Sequence, residues 1–186
     1  MRGSLMNRYT NLWNNNYYVL YGKNLGAPRD SKIFECKEKI IIRQTSDKII
    51  ATIITENIIC RKNLHILISE MVDHRFILGV LNSKLTNFYY QQINPEKGEV
   101  LAEVKKTHVE QLPIPKITSE NQQLHDDLVK LVEQMLKAKK EEQNAQSDHE
   151  KNLYKNLTDS LDYKINNLVY KLYNLTPEEI DLVEKS

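Results

Sequence analysis

Glu96, Glu103 and Lys105 are the residues whose types and spacing come nearest to a reactive site. Two carboxylates sharing a Mg²⁺, with a lysine aimed at the attacking water, are the working parts of a metal-dependent nuclease. The local sequence argues against that use. Glu96 sits beside a turn that contains Gly98, and no third acidic ligand accompanies the pair. A small nuclease is therefore the last of the readings kept. The five histidines (65, 74, 108, 125 and 149) are not at metal-ligand spacing with cysteines or carboxylates. There is no G-x-G or P-loop to cradle a phosphate and no G-x-S-x-G elbow for a nucleophilic serine. The chain is expected to have no catalytic residues, no metal and no cofactor of its own. Cys36 and Cys60 form no C-x-x-C pair, which fits reduced, half-buried thiols of a cytoplasmic protein.

Binding chemistry is better represented. Residues 1–118 carry 17 Lys and Arg against 11 Asp and Glu, whereas residues 119–186 carry 9 against 14. A basic first half suits an anionic partner, and chance variation between two solvated surfaces is the plain alternative. Asn11 to Tyr21 is rich in Asn and Tyr and holds Trp13. These flat side chains either plug one end of the core or present a surface to a base or sugar.

The elements that position these residues divide the chain. Tyr17 to Tyr21 reads as a short strand, followed by a loop marked by Gly22, Gly26 and Pro28. Lys39 to Arg43, with three consecutive isoleucines, is the strongest strand. Ile49 to Ile54, Glu56 to Cys60 and Asn63 to Ile68 continue the β pattern. Phe76, Val80, Leu81, Leu85 and Phe88 lie on one face of a helix running to Tyr90. Leu112-Pro-Ile-Pro115 must leave any regular element. Ser119-Glu-Asn-Gln122 reads as a capping box opening a helix striped with Leu124, Leu128, Leu131, Val132, Met135 and Leu136. After a polar break from Glu141 to Lys151, a second helix carries Leu153, Leu157, Leu161, Ile165, Leu168, Val169 and Leu172 on one face. Thr176-Pro-Glu-Glu179 opens a short last helix ending near Glu184. The fold class is α+β: an irregular, mostly antiparallel β-rich unit (1–118), then an antiparallel two-helix hairpin and a short C-terminal helix (119–186). No run is long and apolar enough for a membrane span. The start, Met1 to Met6, lacks a signal-peptide core and reads as an internal start or an added tail.

Several runs, in this order, resemble the TaqI-like C-terminal specificity domain, the target recognition domain of adenine-specific DNA methyltransferases and of restriction enzymes fused to them. They are Tyr21-Gly-Lys-Asn-Leu25, Lys39-Ile-Ile-Ile-Arg-Gln-Thr45, Leu78-Gly-Val-Leu-Asn-Ser-Lys84, Val104-Lys-Lys106, Gln111-Leu-Pro-Ile-Pro115 and Leu172-Tyr-Asn-Leu-Thr-Pro-Glu-Glu-Ile180. The chain is similar, too, to the recognition units of type I specificity subunits, where a Leu-Asn-Ser helix leads through a proline-rich exit into spacer helices. The Asn-Pro-Pro-Tyr-type motif and glycine-rich cofactor loop of the methyltransferase domain are absent, and Asn94-Pro95-Glu96 does not replace them.

The resemblance implies sequence-specific binding of double-stranded DNA. Methylation would be done by a methyltransferase domain of the same enzyme, using S-adenosylmethionine. Major-groove reading needs forked or bidentate groups, and positioning needs cations on phosphates. Arg43 and Gln44 are the candidates for base edges or adjacent phosphates, Lys105, Lys106 and Thr107 for phosphates, and Lys84 and Lys23 stand behind them. A structural ion pair for Arg43 and a solvated turn for Lys105-Lys106 are the alternatives at those positions. A protein-interaction or dimerisation module acting through the helical hairpin is the competing function.

Overall fold

The computed structural model describes residues 1–14, 18–26, 28–96, 98–99 and 101–186. Two strands, β1 (Met6–Asn7) and β2 (Thr10–Asn11), form a small antiparallel ribbon. Tyr9 turns it with φ at 59°. A single helical turn, α1 (Lys32–Glu35), precedes the main sheet. That sheet is antiparallel, in the order β4-β3-β5, with β3 (Lys39–Arg43) between β4 (Ala51–Ile54) and β5 (Leu64–Leu67). Its register sets Ile41 opposite Thr52 on one side and Ile66 on the other.

The unbroken isoleucine run follows from burial on both faces of β3. Ile40 and Ile42 enter the larger core, while Ile41 enters a smaller one with Met6, Phe34, Ile54, Ile58, Cys60 and Leu64. Lys39, at the same strand, is fully buried, and its Nζ donates to the carbonyls of Phe34, Cys36 and Glu56 at 3.0, 3.1 and 3.0 Å. Three carbonyls satisfy the three donors of the ammonium, and burial still lowers its pKa.

The expected helix from Phe76 to Tyr90 is two helices, α2 (His74–Asn82) and α3 (Lys84–Ile93). Ser83 between them is extended, with ψ at 156°. Its hydroxyl accepts from Thr86 N (3.1 Å) and donates to Val80 O (2.7 Å), so one side chain closes the first helix and caps the second. Asn82, the last residue of α2, reaches β4 with its side chain, where Oδ1 accepts from Ala51 N and Nδ2 donates to Ala51 O, both at 3.0 Å. The run Leu81-Asn-Ser-Lys84 is thus a structural junction.

After the short α4 (Lys106–Val109) come the hairpin helices α5 (Gln122–Asn144) and α6 (Asp148–Leu172), then α7 (Pro177–Glu184). The Ser119 capping box does not form. Asn121 opens α5 instead, with its amide spent on Thr118 N and Lys116 O. The expected polar break is narrower than Glu141 to Lys151, because Ser147 and Glu150 make a capping box for α6. The box at Thr176 and Glu179 forms as the sequence indicates. Two expected strands are absent: residues 18–21 and 56–60 run without a ladder, and Tyr17 lies outside the described residues.

The stripe of the hairpin is buried within the chain. Leu128, Val132, Met135, Leu161, Ile165 and Val169 share one core with Ile40, Ile42, Phe76 and Val80, so a single apolar cluster draws on both sides of residue 118. Gly79 makes the approach of α2 to α5 possible: a Cβ there would stand 2.9 Å from Val132 Cγ2 and 3.0 Å from Leu128 Cδ1. Of the stripe, Leu153 and Leu157 at the far end of the hairpin stay exposed. Tyr173 fastens the double-proline exit to the hairpin, its hydroxyl donating to Pro113 O at 2.5 Å. No described helix is long and apolar enough to cross a membrane.

Candidate nucleic-acid interface

The end of β3 meets a segment sixty residues away. Gln44 N donates to Asn63 O (3.2 Å), and Gln44 O accepts from Val104 N (2.6 Å). Thr45 and Glu103 form an antiparallel bridge. Residues 103–104 therefore continue the ladder where β3 runs out. His65 on β5 donates from Nε2 to Val104 O (2.6 Å), and Tyr90 OH donates to Glu103 O (3.3 Å), so the returning segment is held from two further elements.

This pairing sets the side chains. Gln44 Nε2 donates to Glu103 Oε2 at 3.1 Å. Glu103 N donates to Glu96 Oε2 at 2.9 Å, and Lys105 Nζ reaches Glu96 Oε1 at 2.5 Å. The lysine, and then the Glu103 N–H, hold the Glu96 carboxyl below the usual carboxylate range, and the same contact raises the Lys105 pKa. Both oxygens of Glu96 are thus engaged within the protein. Among the described residues, no group of three His, Cys, Asp or Glu could hold a metal ion.

Gln44 and Lys105 are brought together through Glu103 and Glu96 at one end of the sheet, whereas Arg43, one residue earlier, turns to the other face. Arg43 is half-buried and packs toward Gly3, with its Nε unpartnered among the described residues. Lys106 and Thr107 follow on the first turn of α4, where Lys106 pairs with Glu110 at 3.3 Å and Thr107 is exposed. Lys84 stands in a different cluster. Its backbone N donates to Asn166 Oδ1 (2.8 Å) and its Nζ pairs with Glu184, which also accepts from Tyr170 OH (2.7 Å). Lys23 is exposed in the loop after Tyr21 and makes no ion pair among the described residues. Sequence reasoning missed Glu103 as the holder of Gln44. Its nearness to Lys105 in sequence pointed to nuclease chemistry, and only the Thr45 bridge reveals its partner.

A glutamine amide can give two N–H donors and one carbonyl acceptor. With one N–H of Gln44 held by Glu103, the other N–H and Oε1 remain. These are the donor and acceptor that pair with N7 and N6–H₂ of adenine in the major groove.

The family model of the TaqI-like C-terminal specificity domain matches residues 1–114, more than half of the chain. The chain belongs to this family, whose domains serve DNA target recognition in restriction-modification enzymes. The match ends inside Leu112-Pro-Ile-Pro115, where the chain turns toward the hairpin. No curated protein matches the chain at a significant level.

Proposed function

We propose that this chain reads a specific sequence in duplex DNA for a cytoplasmic restriction-modification enzyme. In this reading, N6-adenine methylation, using S-adenosylmethionine, and any cleavage belong to a catalytic domain outside this sequence. Residues 1–118 make the base and phosphate contacts, and 119–186 form the spacer that docks on the methyltransferase domain. The observation that carries the reading is Gln44, fixed by Glu103 where the sheet runs out, next to the Lys105–Glu96 pair. Lys106 exchanges Glu110 for a phosphate at little cost, because that pair is exposed, and Lys105, itself exposed, leaves Glu96 held by the Glu103 N–H.

Self-association through the hairpin has less surface to rest on, since Leu128 and Leu161 are covered within the chain.

Selection from a random duplex library tests the reading. The wild-type chain should enrich one consensus, with binding that weakens steeply as salt rises. Gln44→Ala should relax a single adenine position by about 5- to 150-fold, corresponding to roughly 1–3 kcal/mol for one bidentate pair. Lys105→Ala with Lys106→Ala should weaken all sequences alike and lower the salt slope by about 2. Absence of any enriched sequence, together with salt-insensitive binding, would overturn the proposal.

A further inference from the structure

The aromatic stretch near the N-terminus has no part in the interface above, and it borders a groove of about 860 Å³ on the far side of the smaller core. Trp13 and Tyr18 form one wall, with ring centroids 6.3 Å apart and planes at 71°. Tyr18 is 82% exposed, so a face of this pair is open to solvent. Tyr21 is braced edge-on against Phe34 at 6.1 Å and its hydroxyl donates to Arg29 O, which fixes the floor.

The charge of the groove is one-sided. Arg29, Arg61 and Lys62 line it, and no Asp or Glu does among the described residues. None of these three cations makes an ion pair among the described residues. Lys84, Lys105 and Lys106, by contrast, are each matched by a glutamate. Arg29 donates from Nη2 to Lys62 O (3.2 Å), and Arg61 is fixed through its backbone by Met1 and Leu64, so the cations stand on ordered chain. A second large cavity, between the ribbon and the hairpin, mixes Arg8, Lys48, Lys84 and Lys139 with Asp47, Glu142, Asp159 and Asp162 and shows no such bias.

Unmatched cations call for an anion, and exposed aromatic faces call for a flat partner. One ligand class carries both, a nucleotide whose base is not paired. Its base stacks on aromatic side chains and its phosphates meet the Arg and Lys. We propose that this groove binds an unpaired stretch of DNA, with a base against Trp13 and Tyr18 and the phosphates on Arg61, Lys62 and Arg29. The groove adjoins the duplex-reading end of the sheet, since Asn63, next to Lys62, accepts from Gln44 N, but it is lined by neither Gln44 nor Lys105 nor Lys106. It rests on the DNA-recognition reading only for the source of the strand, because extruding a target base leaves unpaired nucleotides nearby.

Trp13 is the sole tryptophan and so reports on its own site. The whole chain is titrated with oligo(dT) and, separately, with duplex DNA, following Trp13 emission and anisotropy of the labelled strand. Oligo(dT) should quench Trp13. Tyr18→Ala should weaken that binding by about 5- to 150-fold. Arg61→Ala with Lys62→Ala should lower its salt slope by about 1.4. Lys105→Ala with Lys106→Ala should leave it unchanged. Unaltered Trp13 emission at low salt overturns the proposal, as does oligo(dT) binding that the Arg61 and Lys62 changes leave intact. Duplex binding that fails while oligo(dT) binding survives counts against the duplex-reading end alone.

Discussion

Replacing Asn82 by Ala separates a structural role for the Leu-Asn-Ser junction from a role in DNA contact. The Asn82 side chain is 1% exposed and acts as a strand partner for one residue of β4. Without it, Ala51 N–H loses its acceptor in a dry site, which costs about 1–3 kcal/mol. Ala51 C=O loses less, because Tyr9 N still donates to it at 3.0 Å. The space left by the amide adds a small cavity cost. A total of about 2–4 kcal/mol is expected, a large share of the roughly 5–15 kcal/mol that holds a domain together. Urea unfolding followed by far-ultraviolet circular dichroism should show a lower midpoint with an unchanged slope. Asn82→Asp should do no better, since it keeps the acceptor but removes the donor and buries a charge. A loss below about 0.5 kcal/mol would refute the reasoning. So would full stability combined with lost DNA binding, which would make Asn82 a contact residue.

Gly79→Ala should destabilise by up to about 2 kcal/mol. The gain of up to about 1 kcal/mol in helix propensity is outweighed by overpacking against Val132 and Leu128. Thermal melting checks it, and adding Val132→Ala should restore part of the loss. A more stable Gly79→Ala chain would contradict the close approach of α2 and α5. Acid should loosen α7. The Lys84 ammonium, and then Tyr170 OH, hold the Glu184 carboxyl below its ordinary 4.5. Its contribution is therefore complete above the ordinary value, which the unfolded chain keeps, and is lost as pH falls through the folded chain's lowered one. Glu184→Gln should flatten the fall of Tm as pH drops below the ordinary 4.5; an unchanged acid slope would show that the pair does not hold the helix.

Much of the architecture is local and was open to sequence reasoning. Three isoleucines in a row specify a strand buried on both faces, and Thr176-Pro-Glu-Glu179 specifies a helix start. The hairpin follows from its stripes, and the family from the order of short runs. What misled was also local. Continuous helix periodicity across Phe76 to Tyr90 conceals Ser83, because apolar spacing does not register one extended residue that keeps both flanking helices against the core. The aromatic run at residues 18–21 has strand composition but no partner strand to pair with among the described residues.

The sequence by itself supplied the candidates for DNA contact: Arg43 and Gln44 at a strand end, and Lys105 and Lys106 before the double proline. It could not determine what each of them touches. Only the tertiary structure pairs Thr45 with Glu103, gives Gln44 its carboxylate, and matches Lys84, Lys105 and Lys106 with glutamates while leaving Arg29, Arg61 and Lys62 without an ion pair among the described residues around an aromatic groove. The physical reason is one of range. Strand, helix and cap preferences act within a few residues of chain, whereas the charge and hydrogen-bond state of a side chain depends on partners that folding delivers from far along the sequence.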